Sequence, residues 1–184
     1  MAIIKDFTEL IGLLDGRLTL LREAIMDMDV KPGSIATTWL GKWATYIRGE
    51  KTFSSNNLKS YAHREIIRVH FGYRAKSELG GEHYAVVMDV GNNPNNPTLT
   101  VVPLSSLKPG KNVHFNNVDL GNKLITDINP HTGENLAKSG TSEAVIQQLT
   151  CIGKQRIVRP LNTGDPVLGF VPPEKMREID KNCK

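Results

Sequence analysis

The chain is poor in cysteine: among its 184 residues only Cys151 and Cys183 carry a thiol, and neither has the spacing of a metal site or the density of a disulfide scaffold. That excludes a stapled secreted mini-domain and suits a reducing compartment, so the expected location is the cytoplasm. Long apolar runs are missing too. Nothing approaches the roughly 20 consecutive apolar residues that a membrane-spanning helix needs, and the apolar patch between Met1 and Phe7 is too short for a secretory leader. Charge of one sign is also scarce: 23 Lys and Arg against 19 Asp and Glu leave a net charge of +4, which permits an anionic partner without requiring one. His63, His70, His114 and His131 show no spacing with Cys, Asp or Glu that would make a metal site. Gly110, Lys111 and Asn112 lack the length and the hydroxyl residue of a phosphate loop. No internal repeat or long low-complexity tract is present, and no metal or cofactor is expected.

What is present falls into two parts. Phe7, Ile11, Leu14, Leu18, Leu21, Ile25 and Met28 recur at alternating four- and three-residue steps. This is an apolar seam of heptad spacing on a helix predicted to stop at Lys31, Pro32 and Gly33. The seam is short for a coiled coil, and Ala36, Trp39, Leu40, Trp43, Tyr46 and Ile47 form a second helical face able to cover it. Residues 1–50 are therefore expected to be a helical hairpin, with the polar residues 51–60 as a linker. The hairpin is expected to support self-association or to cover the domain that follows.

From residue 61 onward the period changes. Ile67, Val69 and Phe71 alternate with Arg68 and His70, the pattern of a strand with one buried and one wet face. Tyr84 to Met88 and Thr98 to Leu104 are more continuously apolar and β-branched, as inner strands are. Between them, Gly91, Pro94, Pro97 and the asparagines at 92, 93, 95 and 96 suit an exposed hairpin loop. Gly80 and Gly81 allow a sharp reversal or close approach just before the second strand. Residues 121–140 form a polar excursion with a short strand expected at 123–128, and Cys151 is expected in the core of a late strand. Pro173 to Asn182 reads as a closing helix, with proline in its first turn and Met176 and Ile179 on one face. Periodicity alone thus supports a mainly β domain with helices, of the α+β class.

Phe71 and Gly72, then Ser77, Glu78, Gly80, Gly81 and His83, then Ala85 to Val87, then Val102 to Ser106 follow the order and spacing of the opening of the PemK/MazF toxin family. A second block, Gln148 to Ile157 and Val171 to Asp180, resembles that family's late strand and closing helix. The resemblance covers most of residues 61–184 and leaves the N-terminal third unaccounted for. It implies a small, strongly curved antiparallel barrel of the SH3-like kind with a C-terminal helix. It further implies a toxin, typically homodimeric, that cleaves single-stranded RNA without a metal and is neutralised by a cognate antitoxin.

Such cleavage needs a base for the attacking 2′-hydroxyl, an acid for the leaving oxygen, and donors that stabilise charge on the phosphate. The resemblance implies an arginine where His83 stands and a hydroxyl residue where Ser105 stands; the chain departs at the first and conforms at the second. With an ordinary pKa of about 6.5, a histidine can both give and take a proton near neutrality, so His83 is the expected acid or base. Ser105, with Ser106 beside it, is the expected phosphate donor. Glu78 could orient His83, act as a base, or be a solvated loop carboxylate. Arg74 and Lys76 in the same loop, Lys108 and Lys111 after the third strand, and Lys154, Gln155 and Arg156 near a late strand end are expected to contact RNA. Arg156 could instead close the barrel through a salt bridge. The rival from another class is a non-catalytic barrel that binds nucleic acid or protein; a protein-directed toxin would share the fold by analogy only.

Overall fold

The computed structural model describes residues 3–74, 76–108, 110–129, 131–137 and 140–183. The chain divides into two compact units, Met1–Thr45 and Tyr46–Lys184. The division falls inside a helix rather than at the expected linker. Among the described residues, no helix is long and apolar enough to cross a membrane.

The first unit holds α1, Thr8–Met26, and most of α2, Val30–Gly49. The expected stop at Lys31 to Gly33 is corrected: the break lies at residues 27–29, and Pro32 and Gly33 sit in the first turn of α2. Proline is tolerated there because first-turn amides have no intrahelical acceptor to lose. The expectation that α2 covers the α1 seam is corrected as well, since no residue of α1 is buried and α2 buries only Gly33 and Ala36. Close approach is at the junction of the two helices, where a Cβ on Gly33 would stand 3.4 Å from the Ile25 carbonyl oxygen.

The second unit is built on β1 Ile66–Gly72, β2 Gly81–Val87, β3 Thr98–Ser106, β4 Val118–Asn122, β5 Thr141–Ala144, β6 Thr150–Gly153 and β7 Ile157–Arg159, closed by α3, Pro173–Asn182. The seven strands form one antiparallel sheet in the order β4-β5-β3-β2-β1-β7, with β6 also on β3. The α+β class expected from the sequence is thus the observed one. β3 is the hub: it pairs with β2 through Val101 to Pro103, with β6 through Thr98 to Val101, and with β5 through Leu104 to Ser106.

Strand alternation sorts the apolar side chains into two cores. Ile66, Val86 and Val102 pack with Met176 and Ile179 of α3. Ile67, Val69, Ala85, Val87 and Val101 pack with Tyr61 and Ile152. Each fully buried aliphatic side chain of this kind contributes about 1.5–3 kcal/mol. At the entry to β2, Gly81 takes a φ of +82°, and a Cβ on Gly80 would lie 2.8 Å from the Gly72 carbonyl oxygen. The glycine pair is therefore required by the backbone of this turn.

Some expectations fail locally. The strand expected at 123–128 is absent; β4 comes just before it, with Val118 and Leu120 inward, and Lys123 ends the extended run with a φ of 59°. Cys151 is exposed, not in the core, because its neighbour Ile152 takes the inward position on β6. The end of the expected linker is tied down: Ser55 is buried, the Lys59 amide donates to the Leu161 carbonyl at 2.8 Å, and Lys59 pairs with buried Glu65 at 2.5 Å.

Candidate active site

The β1–β2 register sets Ile66 opposite Val86, Arg68 opposite Tyr84, and His70 opposite Glu82. One row thus begins apolar and ends ionic. The wet face expected for β1 is corrected here, since His70 is 8% exposed and the Arg68 side chain 25% exposed. Their polar groups find partners within the protein. Arg68 Nε pairs with Glu82 Oε1, and Arg68 Nη1 donates to Asp127 Oδ2 at 3.2 Å. Asp127 is 0% exposed and also accepts from the Tyr84 hydroxyl at 2.8 Å and from Arg159 Nη1 at 2.6 Å. His70 Nε2 lies 3.4 Å from Glu82 Oε2, and the His70 carbonyl accepts from Arg156 Nε at 2.7 Å.

This arrangement holds cations rigidly beside a buried anion. A buried carboxylate needs charged or hydrogen-bonding partners to offset its desolvation, and Asp127 has Arg68, Arg159 and the Tyr84 hydroxyl. Burial, with the Asp127 hydrogen bond acting in the same direction, pushes the Tyr84 phenol far above its ordinary range, so it stays a donor. Burial lowers Arg156, with the Arg74 charge pressing the same way.

The ladder between β2 and β3 ends at Ala85 and Pro103. Beyond it, Arg68, Glu82, His83 and Tyr84 share a cavity of about 340 Å³ with Leu104, Ser105, Ser106 and Leu136. Three of the residues expected from the sequence, His83, Ser105 and Ser106, line it, although the register sets His83 opposite Val69, in the strand row alternate to that of Glu82 and Tyr84. Arg68, Glu82 and Tyr84, which the sequence reading did not select, complete the polar wall. Among the described residues, no group of three or more His, Cys, Asp or Glu side chains is placed to hold a metal ion.

The remaining candidates lie elsewhere. Arg74 and Glu78 pair with each other at 3.6 Å and do not line this cavity. Their loop is fastened by Gln148, which accepts from the Leu79 amide at 2.6 Å and donates to the Ser77 carbonyl at 3.0 Å. Lys76, Lys108 and Lys111 are exposed in loops. Gln155 Nε2 reaches the Tyr46 carbonyl at 3.5 Å.

Lys154 needs correction as an RNA contact. It is 0% exposed, and its ammonium donates to the Asn93 and Pro94 carbonyls at 3.0 and 3.5 Å, holding the β2–β3 loop. Burial lowers its pKa, with Asp89 opposing. Lys154→Met is accordingly expected to leave RNA affinity and its salt slope unchanged while lowering stability by about 1 kcal/mol, the typical worth of such hydrogen bonds. Binding at several salt concentrations, set beside a thermal melt, checks both; a salt slope shallower by about one unit would return Lys154 to the phosphate contacts.

A signal for the missed residues exists in part. Arg68 and His70 on one strand, and Glu82 and Tyr84 on the next, become cross-strand partners once the glycine turn sets the register. Asp127 carries no such signal, being 59 residues from Arg68.

An antiparallel sheet closed by a C-terminal helix, with an ionic cavity where one hairpin leaves the hub strand, defines a small α+β protein of a particular kind. The family of PemK-like, MazF-like toxins of type II toxin-antitoxin systems matches residues 62–184, and the chain belongs to that family. Solved structures similar to it include the Mycobacterium tuberculosis toxin MazF-mt6, at 11% identity and a TM-score of 0.43, covering 65% of this chain and 92% of that one. MazF from Deinococcus radiodurans is 14% identical, with a TM-score of 0.42 and coverage of 68% and 94%. A MazE-MazF structure from the same organism is 15% identical, with a TM-score of 0.39 and coverage of 68% and 93%. No curated protein matches the sequence.

Proposed function

We propose that this toxin is an endoribonuclease that cleaves single-stranded RNA by metal-independent acid–base catalysis at the cavity between β2 and β3. The observation that carries this reading is that His83, Ser105 and Arg68 all line one cavity of about 340 Å³. A proton-transfer group, a hydroxyl and a fixed cation are the parts that phosphodiester cleavage by an internal nucleophile requires.

In this scheme the 2′-oxygen forms a bond to the adjacent phosphorus as the bond to the 5′-oxygen breaks. The 2′-proton leaves to a base and a proton reaches the 5′-oxygen, so the products are a cyclic phosphate and a free 5′-hydroxyl. His83 serves as base or acid. Ser105 donates to a non-bridging oxygen. Arg68 supplies the cation that His83 cannot guarantee at neutral pH: with Nε on Glu82 and Nη1 on Asp127, its Nη2 is left to hold phosphate. Arg156 acts one step away, through its 2.7 Å hydrogen bond to the His70 carbonyl. Family membership supports a cognate antitoxin and a homodimer as partners and the cytoplasm as the place of action.

Incubating the full chain with a long RNA and mapping the ends tests this. Expected are 5′-hydroxyl ends, cleavage that survives chelator, and a loss of roughly 10²–10⁴-fold on His83→Ala. Intact RNA, or cleavage abolished by chelator, overturns the reading; an unchanged rate in His83→Ala removes that residue's role.

A further inference from the structure

The feature the catalytic reading leaves unused is α1. It is 19 residues long, no residue of it is buried, and Phe7, Ile11, Leu14, Leu18 and Leu21 of its seam are 37–53% exposed. It also carries Gly12 and Gly16, where an added side chain would meet nothing within 4 Å. Each glycine costs a helix about 1 kcal/mol relative to alanine, and helices of this length draw most of their stability from a packed apolar face. α1 therefore needs a partner surface. Leu10, Leu13 and Leu20, 45–56% exposed, add apolar surface on one flank of the seam.

The charges beside the seam select the occupant and its direction. With Ile11, Leu18 and Ile25 at one core position of the heptad and Phe7, Leu14, Leu21 and Met28 at the other, Asp15 and Arg22 flank the seam on one side and Arg17 on the other. Two parallel copies would set Arg17 against Arg22, like against like, twice. Antiparallel pairing with Leu18 level with Leu21 of the second copy sets Asp15 against Arg22 twice and Arg17 beside Ala24. Sliding by one heptad either way brings Asp15 onto Asp15 or Arg22 onto Arg22. One register in one direction satisfies both the seam and the charges.

We infer that α1 is an interface for a second copy of this chain, the two helices pairing antiparallel with Leu18 opposite Leu21, Leu14 opposite Ile25 and Asp15 opposite Arg22. This contact is independent of the ribonuclease reading and of any contact made through the sheet.

Disulfide mapping decides it, with the full chain in a background where Cys151 and Cys183 are serine. Mixing Leu14→Cys chains with Ile25→Cys chains is expected to give the mixed disulfide, with each variant alone crosslinking poorly. Predominant 14–14 and 25–25 crosslinks would overturn the antiparallel geometry. In sedimentation, Leu14→Glu with Leu21→Glu is expected to weaken self-association by roughly a hundredfold or more, since four leucines leave the contact and four charges enter it. Asp15→Arg alone is expected to weaken it about tenfold, and adding Arg22→Asp to restore it. An unchanged mass in the leucine variant, with a lowered melting temperature instead, would mean that the seam is covered by its own chain and would refute the pairing. The charge-swap rescue is the readout that a purely local role of α1 would not produce.

Discussion

Replacing Arg68 by methionine is expected to reduce RNA cleavage by roughly 10²–10³-fold, the usual cost of removing one preorganised donor from the charge that develops in a transition state. The apolar stem is largely kept, and the guanidinium with its charge and donors is lost. Asp127 retains the Tyr84 hydroxyl at 2.8 Å and Arg159 at 2.6 Å, so the domain is expected to stay folded. Single-turnover cleavage of a short RNA, with circular dichroism on the same samples, measures both. Arg68→Lys is expected to recover only part of the loss, because a lysine cannot span Glu82 and Asp127 while leaving a further nitrogen for phosphate. Cleavage at the wild-type rate in Arg68→Met would show that the phosphate is held by another residue or needs no cation.

The second large effect concerns stability. Asp127→Ala is expected to destabilise the second unit by about 3 kcal/mol, because Arg68, Arg159 and Tyr84 lose the acceptor that holds them together. For a domain of this size that lowers the melting temperature by on the order of 10 °C. Asp127→Asn, which keeps the shape and one acceptor oxygen, is expected to fall between the two. A thermal melt of the three proteins is sufficient. An alanine variant as stable as the wild type would mean that the two arginines, each about a quarter exposed, satisfy themselves with water.

The two predictions address different parts of one network. In the proposed scheme Arg68 holds phosphate, whereas Asp127 fixes the guanidinium and accepts from the Tyr84 hydroxyl. Arg68→Met should therefore act on rate with little effect on melting, and Asp127→Ala on melting first.

Much of the β domain was legible in the sequence because its signals are local. The loop of glycine, proline and asparagine between Val87 and Thr98, the glycines at 80 and 81, and the proline-led helix ending at Asn182 each rest on backbone preferences that a few residues dictate. The failures share a cause as well. β4 and β5 are short and polar in places, and their pairing was invisible because Val118 and Ala144 meet only across the folded sheet. Lys154 looks in sequence like any surface lysine, and only the packing of the β2–β3 loop over it makes it a buried tether.

The same division holds for the candidate site. By order and spacing, the sequence determined the family, the strand positions of His83 and Ser105, and the heptad seam of α1 with its asymmetric charges. Tertiary structure decided which other residues line the cavity with His83. It brought Arg68 from β1 and Asp127 from the segment after β4 to Tyr84, and it left Arg74 and Glu78 paired in a loop outside the cavity. The physical reason is range: turns, caps and periodicity act over a few residues, whereas a buried carboxylate takes its partners from whatever strands the fold sets beside it.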